Sequence, residues 1–249
     1  MAGTVRGWRG HRAIGLGRQP TLAVLCATGL LLGVASAQDW PSFRGDPQLR
    51  GVATTALPKV PTLQWVFEAP DAIESTAAVV DKTVYVGAMD GRLYALDLVT
   101  GQTRWEYAAA GEIKSSPNVA AGRVCFGDES GVLHAVDAAT GVGLWQTQVD
   151  GAISSSPNYF DSRLYFGSYD NNLYCVVAAD GAVAWKSETA GYIHGTPALW
   201  GGMVVFAGCD GHLRLLDAGA GTPVRGLDLQ DYVGASIAVA GDRGFVGTF

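Results

Sequence analysis

The chain has 249 residues, of which 48% are hydrophobic and 16% charged, and its formal net charge is −6. Residues 1–37 hold four of the 17 basic residues and none of the 23 acidic ones, so the rest of the chain has a net charge of −10. That balance argues against binding to nucleic acid, which depends on neutralising phosphates with basic side chains, and against adherence to anionic lipid.

Residues 1–37 have the three parts of a secretory signal peptide. A basic start is followed by an apolar stretch over residues 21–34 and then by the small residues Ala35, Ser36 and Ala37, which predicts cleavage after Ala37. The basic residues are Arg6, Arg9, Arg12 and Arg18. The mature protein is therefore expected in the periplasm or outside the cell.

Two other interpretations of this leader are weaker. The apolar stretch is shorter than the ~20 residues that a membrane-spanning helix needs, and no later stretch could span a bilayer. Cys26 is a candidate for lipidation, but Leu25 stands where a small residue is wanted, and the apolar stretch continues past the cysteine. We expect neither a membrane span nor a lipid anchor.

Residues 38–61 differ from everything that follows. They contain four prolines and little periodicity, which predicts an extended N-terminal arm lying on the rest of the fold. Residues 62–68 match the last of the four strands in the repeat described below, but the first three strands of that repeat do not precede them. They predict an orphan outer strand, of the kind that commonly completes the last blade of a propeller and closes the ring.

From residue 62 onward the sequence repeats at an interval of about forty residues, which is typical of propellers or solenoids. The interval holds without an insertion, so each repeat must occupy the same space against its neighbours. The residues that keep it include Trp65, Trp105, Trp145 and Trp185, then Gly101, Gly141, Gly181 and Gly221, and also Pro117, Pro157 and Pro197.

One repeat, over residues 113–145, predicts four short strands. Pro117 opens the first, where its missing N–H is tolerated, and a turn ending at Gly131 separates the second from the third. A turn from Asp137 to Gly141 precedes the fourth strand. Four antiparallel strands with frequent turns make one propeller blade. Complete blades are predicted at about 75–108, 115–148, 155–188 and 195–228, with a partial blade at 235–249.

The segment V-Y-V-G-A-M-D-G-R-L-Y-A-L-D-L-V-T-G-Q-T-R-W at residues 84–105 resembles the repeat of the pyrroloquinoline-quinone (PQQ)-like β-propeller family. The block W-P-S-F-R-G at residues 40–45 resembles the segment before the first blade in many members. The resemblance covers residues 40–249 and implies an all-β, quinoprotein alcohol dehydrogenase-like propeller. The family includes quinoprotein dehydrogenases, the propeller-type outer membrane protein assembly factor and many secreted proteins.

The number of repeats predicts an incomplete ring. Residues 62–249 hold about five blades, whereas rings of this family usually have about seven or eight. The orphan strand at the front and the interrupted blade at the end agree with a fragment of a longer protein, which we expect to be a monomer when complete. An open arc leaves two unpaired sheet edges.

The aromatic and cysteine side chains are interpreted as structural. Trp65, Trp105, Trp145 and Trp185 are expected to dock each blade on the next, because a four-stranded sheet cannot bury both of its faces alone. The cysteines after the leader are Cys125, Cys175 and Cys209. Their odd number and irregular spacing do not fit a disulfide framework, and burial as small apolar residues is expected for the two in strands.

The fourth repeat is degenerate. Arg225 replaces the tryptophan, Ala207 replaces a glycine, and Ser236-Ile237 later replaces Ser-Pro. Drift compensated by a neighbouring residue is favoured here over a functional site.

The variable position beside the innermost strands is the candidate ligand site. Polar residues of different kinds share this position in the first four repeats, while the preceding residue is isoleucine in each of them. The candidates are Glu74, Lys114, Ser154 and His194. They predict a central funnel that could hold an anionic or polar ligand, and the alternative is an ordinary solvated rim.

The sequence predicts no catalytic residue and no metal site. We find no Ser-His-Asp or Cys-His arrangement, no Gly-rich phosphate loop and no paired carboxylates. The enzymes of the family use PQQ with calcium, often beside adjacent cysteines, and no two cysteines adjoin here. We interpret the chain as a scaffold without an evident cofactor, which binds envelope proteins, as in outer membrane assembly, or a small polar ligand. The alternative is a fragment of a PQQ-dependent dehydrogenase.

Overall fold

The computed structural model describes residues 39–56 and 58–249. The predicted signal peptide, with Cys26 and the cleavage site after Ala37, lies outside the described residues. Every secondary-structure element in these residues is a β-strand, which confirms the all-β prediction. The described residues contain no helix that could cross a bilayer. The strands are β1 (Ala78–Val80), β2 (Thr83–Gly87), β3 (Arg92–Asp97), β4 (Thr103–Ala108), β5 (Asn118–Ala120), β6 (Arg123–Gly127), β7 (Val132–Asp137), β8 (Gly143–Gln148), β9 (Asn158–Phe160), β10 (Arg163–Gly167), β11 (Asn172–Val177), β12 (Val183–Glu188), β13 (Ala198–Trp200), β14 (Met203–Ala207), β15 (His212–Asp217), β16 (Pro223–Asp228), β17 (Ala238–Ala240) and β18 (Arg243–Phe245).

Consecutive strands pair antiparallel in four four-stranded sheets and one two-stranded sheet. We call these sheets blades 1 to 5, which begin with β1, β5, β9, β13 and β17 respectively. The innermost strands of successive blades lie beside one another. This arrangement confirms the predicted propeller of four-stranded antiparallel blades.

The hydrophobic core lies between the blades and is built by the first three strands of each. Strand β6 is largely buried and β7 contributes five buried residues, whereas side chains of the outermost strand β8 alternate between exposed and partly buried. Phe126 and Leu133 of blade 2 are fully buried. Cys125 and Cys175 are buried and free, as predicted, and burial raises the pKa of the Cys125 thiol to about 12. That thiol is therefore protonated and unreactive at neutral pH.

The blades form an open arc, as the incomplete ring predicts. Residues 62–68 form no strand and pair with none among the described residues. They nevertheless alternate in burial like an outermost strand, and Trp65 packs against blade 1 as later tryptophans pack against later blades. The segment therefore occupies the place of a fourth strand without the three strands that would pair with it.

The first part of the predicted N-terminal arm, residues 42–48, is not extended. Residues 42–48 form turns, and the backbone has positive φ at Arg44, Gly45 and Leu49. These positions reverse the chain, so the arm folds back at the inner edge of the blades. Leu49 is 1% exposed and belongs to the core cluster of blades 4 and 5.

The fourth repeat shows a compensated exchange of volume. In blades 1 to 3 a glycine ends the second strand against an isoleucine, and a Cβ on Gly127 would lie 2.2 Å from Cγ2 of Ile153. In blade 4 that glycine is Ala207, and the matching isoleucine is Val233. Both residues are buried in one cluster, so the added and the lost methyl group keep the core volume nearly constant.

Candidate functional site

The tryptophans dock each blade on the next one. Trp145 Nε1 donates to the carbonyl oxygen of Ala178 at 3.2 Å, and its ring lies on Gly181, where a Cβ would be 2.5 Å from Cε3. The glycine therefore provides both the left-handed corner and the flat surface for the ring. The same contacts join Trp65 to Leu98 and Gly101, Trp105 to Ala138 and Gly141, and Trp185 to Ala218 and Gly221.

A second row of contacts between blades was not predicted from the sequence. The Oγ of Ser156 accepts a hydrogen bond from the backbone N–H of Ser116 at 2.9 Å, and Oγ1 of Thr196 accepts one from Ser156 at 3.2 Å. The same bond joins Thr76 to Ser116 and Thr196 to Ser236. The sequence does carry a signal for this hydroxyl ladder, since every one of these positions is Ser or Thr.

The candidate ligand residues lie on one face of the arc, which we call the loop face. It comprises the turns between the second and third strands of each blade and the connections between blades. Glu74 and His194 are exposed there, and Lys114 and Ser154 are partly exposed. The four residues occupy equivalent positions, but the structure does not join them into a single site.

Lys114 and Ser154 belong to a charged cluster with Glu112 and Glu129. Lys114 Nζ lies 3.3 Å from Oε2 of Glu129 and 3.9 Å from Oε2 of Glu112, and Ser154 Oγ donates to Oε1 of Glu129 at 2.6 Å. The Glu129 carboxylate, followed by those of Glu112 and Glu74, raises the pKa of Lys114 above its ordinary value. The lysine is therefore a fixed cation at neutral pH. Sequence reasoning missed Glu129, which lies on the turn between the second and third strands.

His194 belongs to a separate aromatic cluster with Tyr169 and Tyr192. The Tyr169 hydroxyl lies 2.7 Å from Nδ1 of His194, and the two tyrosine rings stack with centroids 5.0 Å apart at an interplanar angle of 11°. Tyr192 is nevertheless 52% exposed. Both tyrosines were missed, although the Tyr169 position holds a different residue in each repeat and the Tyr192 position holds tyrosine again at Tyr232.

The described residues do not provide a metal centre. No group of three or more His, Cys, Asp or Glu side chains between residues 39–56 and 58–249 is placed to hold a metal ion.

The fold and the loop face define a class of protein, the β-propellers with PQQ-like repeats. A sequence model of the family described as outer membrane protein assembly factor BamB matches residues 58–152 and 129–224. These matches cover more than half of the chain, and the chain belongs to this family. No curated protein matches the sequence.

Solved structures share the fold at low sequence identity. BamB from Moraxella catarrhalis is 20% identical, with a TM-score of 0.64 over 71% of this chain and 58% of that one. The computationally designed protein Ika8 is 20% identical, with a TM-score of 0.63 over 69% of this chain and 54% of that one. Quinohemoprotein alcohol dehydrogenase ADHIIG from Pseudomonas putida HK5 is 20% identical, with a TM-score of 0.53 over 64% of this chain and 35% of that one. The chain thus spans less than two thirds of the length of these structures.

Proposed function

We propose that this protein is a periplasmic or secreted scaffold that binds envelope proteins on its loop face, in outer membrane protein assembly. The observation that carries the proposal is the aromatic cluster. Tyr192 exposes half of its surface although it stacks on Tyr169, so a rigid, largely apolar ring pair is presented to solvent. Aromatic side chains held in this way are the usual anchors of protein–protein interfaces.

The charges of the loop face indicate what kind of partner surface fits it. The connections between blades carry five acidic residues and a single lysine, which already lies between two carboxylates. The acidic residues are Asp71, Glu74, Glu112, Asp150 and Asp231. A basic partner surface complements this face and could place a cation over the exposed tyrosine rings. Membership in the assembly-factor family supports the envelope as the setting.

Site-specific photo-crosslinking tests this function in the source organism. A photoreactive phenylalanine analogue is placed at Tyr192, and in a control at Val183, which is 48% exposed on the outermost strand β12. We expect crosslinks from position 192 to an outer membrane assembly protein, and none from position 183. Binding of that protein in purified form should weaken as ionic strength rises. Equal crosslinking at the two positions contradicts the proposal.

Two other functions give different results. A small polar ligand at Glu74, Lys114, Ser154 and His194 would be displaced by neutralising Lys114, and no protein would crosslink at position 192. The dehydrogenase alternative predicts that added PQQ and calcium produce a bound quinone absorbance.

A further inference from the structure

Residues 39–51 are the first half of the predicted N-terminal arm, and from here on we call this segment the arm. It runs along the inner edge of the arc. Trp40 pairs with Val79 of blade 1 through two backbone hydrogen bonds of 2.7 and 2.8 Å. The carbonyl oxygen of Pro41 then accepts the N–H of Val119 in blade 2 at 2.7 Å. The first part of the arm therefore joins two innermost strands.

The second part of the arm joins the other three blades. The carbonyl oxygen of Pro47 accepts the N–H of Leu199 in blade 4 at 2.8 Å and the Nδ2 of Asn158 in blade 3 at 2.9 Å. The carbonyl oxygen of Gln48 accepts the N–H of Val239 in blade 5 at 2.9 Å. One short segment is thus hydrogen-bonded to the innermost strand of every blade.

The four backbone donors are equivalent residues of the repeat. Val79, Val119, Leu199 and Val239 each occupy the middle of an innermost strand, at intervals that are multiples of forty residues. Their N–H groups lie on the free edge of the strand, which has no further strand to pair with. The blades therefore present a row of backbone donors that requires carbonyl acceptors.

The sequence of the arm suits this role. Proline lacks an N–H but keeps its carbonyl, so Pro41 and Pro47 supply acceptors without leaving a donor unpaired. The Trp40 ring lies on Gly45, where a Cβ would be 2.7 Å from Cε3, and this contact closes the turn between the two halves of the arm. Leu49 anchors the end of the arm in the core of blades 4 and 5.

We propose that the axis of this propeller is a peptide-binding site and that the arm is its ligand within the same chain. The chemical class of the ligand is a turn-forming peptide with two proline carbonyls and an aliphatic anchor. Its binding ties five blades to one segment and so fixes how these blades are placed around the axis. Because the arm occupies the axis, partner proteins bind the loop face instead. This consequence rests on the proposed function.

Hydrogen exchange on the mature chain tests the site. Leu49→Ala should release the arm, so amide exchange at Val79, Val119, Leu199 and Val239 should accelerate together by at least about tenfold. Amides of strand β7 provide the internal reference and should be unchanged. The control is Val52→Ala, since Val52 is 64% exposed and the change should leave all these rates as they are. If Leu49→Ala accelerates β7 equally, Gly45→Ala is measured instead, because it strains the turn and displaces the Trp40 ring without opening a cavity in the core of blades 4 and 5.

A labelled synthetic peptide of residues 39–51 gives an independent readout. It should bind the Leu49→Ala chain, whose axis is open, and should not bind the unaltered chain, whose axis is occupied. The same peptide carrying alanine in place of Leu49 should bind neither. The proposal is overturned if the four amides do not respond together in either variant, or if the peptide binds both chains equally or neither. Photo-crosslinking at Tyr192 is independent of these results, so the two proposals can fail separately.

Discussion

The Nε2 atom of His134 lies 3.0 Å from Oδ2 of Asp128, and both side chains are buried in blade 2. Nδ1 of His134 lies 3.2 Å from the Tyr107 hydroxyl, and the Phe126 ring stacks on the imidazole with centroids 4.9 Å apart. Burial opposes ionisation of Asp128, but the hydrogen bonds from His134 and the backbone outweigh it and hold the pKa of this carboxyl below its ordinary value. The pair is a structural contact that replaces one found in the other blades.

In the other blades the residue equivalent to His134 also contacts a carboxylate of the preceding turn. That carboxylate lies two residues after the position equivalent to Asp128. Blades 1 and 3 use Tyr94 with Asp90 and Tyr174 with Asp170, and blade 4 uses Arg214 with Asp210. In blade 2 the matching turn residue is Ser130, and the carboxylate comes from Asp128 instead. The histidine and the displaced carboxylate therefore belong together.

Asp128→Asn should lower the free energy of unfolding by about 2 kcal/mol at pH 7, because a buried charge-assisted hydrogen bond is lost. The pKa of Asp128 is lower in the folded state, so its contribution is full above the unfolded pKa, about 3.9, and is lost as the pH falls through the folded pKa. Urea denaturation at several pH values should show the gap between variant and unaltered chain closing below about pH 4.

The combined variant Asp128→Ala, Ser130→Asp, His134→Tyr recreates the contact of blades 1 and 3. It should recover most of the stability that Asp128→Ala alone removes, as measured by the same denaturation. A triple variant as unstable as the single one would show that the two arrangements are not interchangeable.

Trp145→Ala should lower the free energy of unfolding by about 3 kcal/mol, because it removes a bond to Ala178 and leaves the surface of Gly181 uncovered. Lys114→Ala on the loop face should change it by no more than about 0.5 kcal/mol. Chemical denaturation of both variants measures the difference. Equal losses would contradict the role of the tryptophans in docking the blades.

Ser156→Ala tests the hydroxyl ladder. The change leaves the backbone N–H of Ser116 buried without its 2.9 Å acceptor, which should cost about 1–3 kcal/mol. Ser130→Ala, at an exposed turn position, is the control and should be within about 0.5 kcal/mol of the unaltered chain. Thermal unfolding measures the stability of the two variants. Equal stabilities would show that the hydroxyl ladder does not contribute to stability.

Gly127→Ala should destabilise the protein by about 1–3 kcal/mol, because its Cβ would lie 2.2 Å from Cγ2 of Ile153. Adding Ile153→Val, which copies the Ala207 and Val233 pair of blade 4, keeps Cγ2 but removes Cδ1, and the space this frees should let the side chain shift and return part of that loss. Gly226→Ala is the control, since the nearest atom to its Cβ would be 3.7 Å away. A double-mutant cycle measures the coupling, and strictly additive effects would refute the compensation.

The repeat sequence by itself determined the blade. The strands, the turn ending at Gly131 and the corner at Gly141 depend on alternation and turn chemistry within about forty residues, so one repeat contains the information that its own sheet needs. The docking role of the tryptophans could also be predicted, because a large side chain at a constant interval has to meet the same surface in every neighbour.

Only the tertiary structure decided which side chains meet between repeats. Glu129 joins Lys114 to Ser154, and Tyr169 contacts both Tyr192 and His194, although each group comes from two different repeats. The path of the arm across the innermost strands was likewise decided only by the tertiary structure. These contacts depend on how far each blade is rotated and shifted against the next, and the packing between blades sets that geometry while a period along the chain does not specify it.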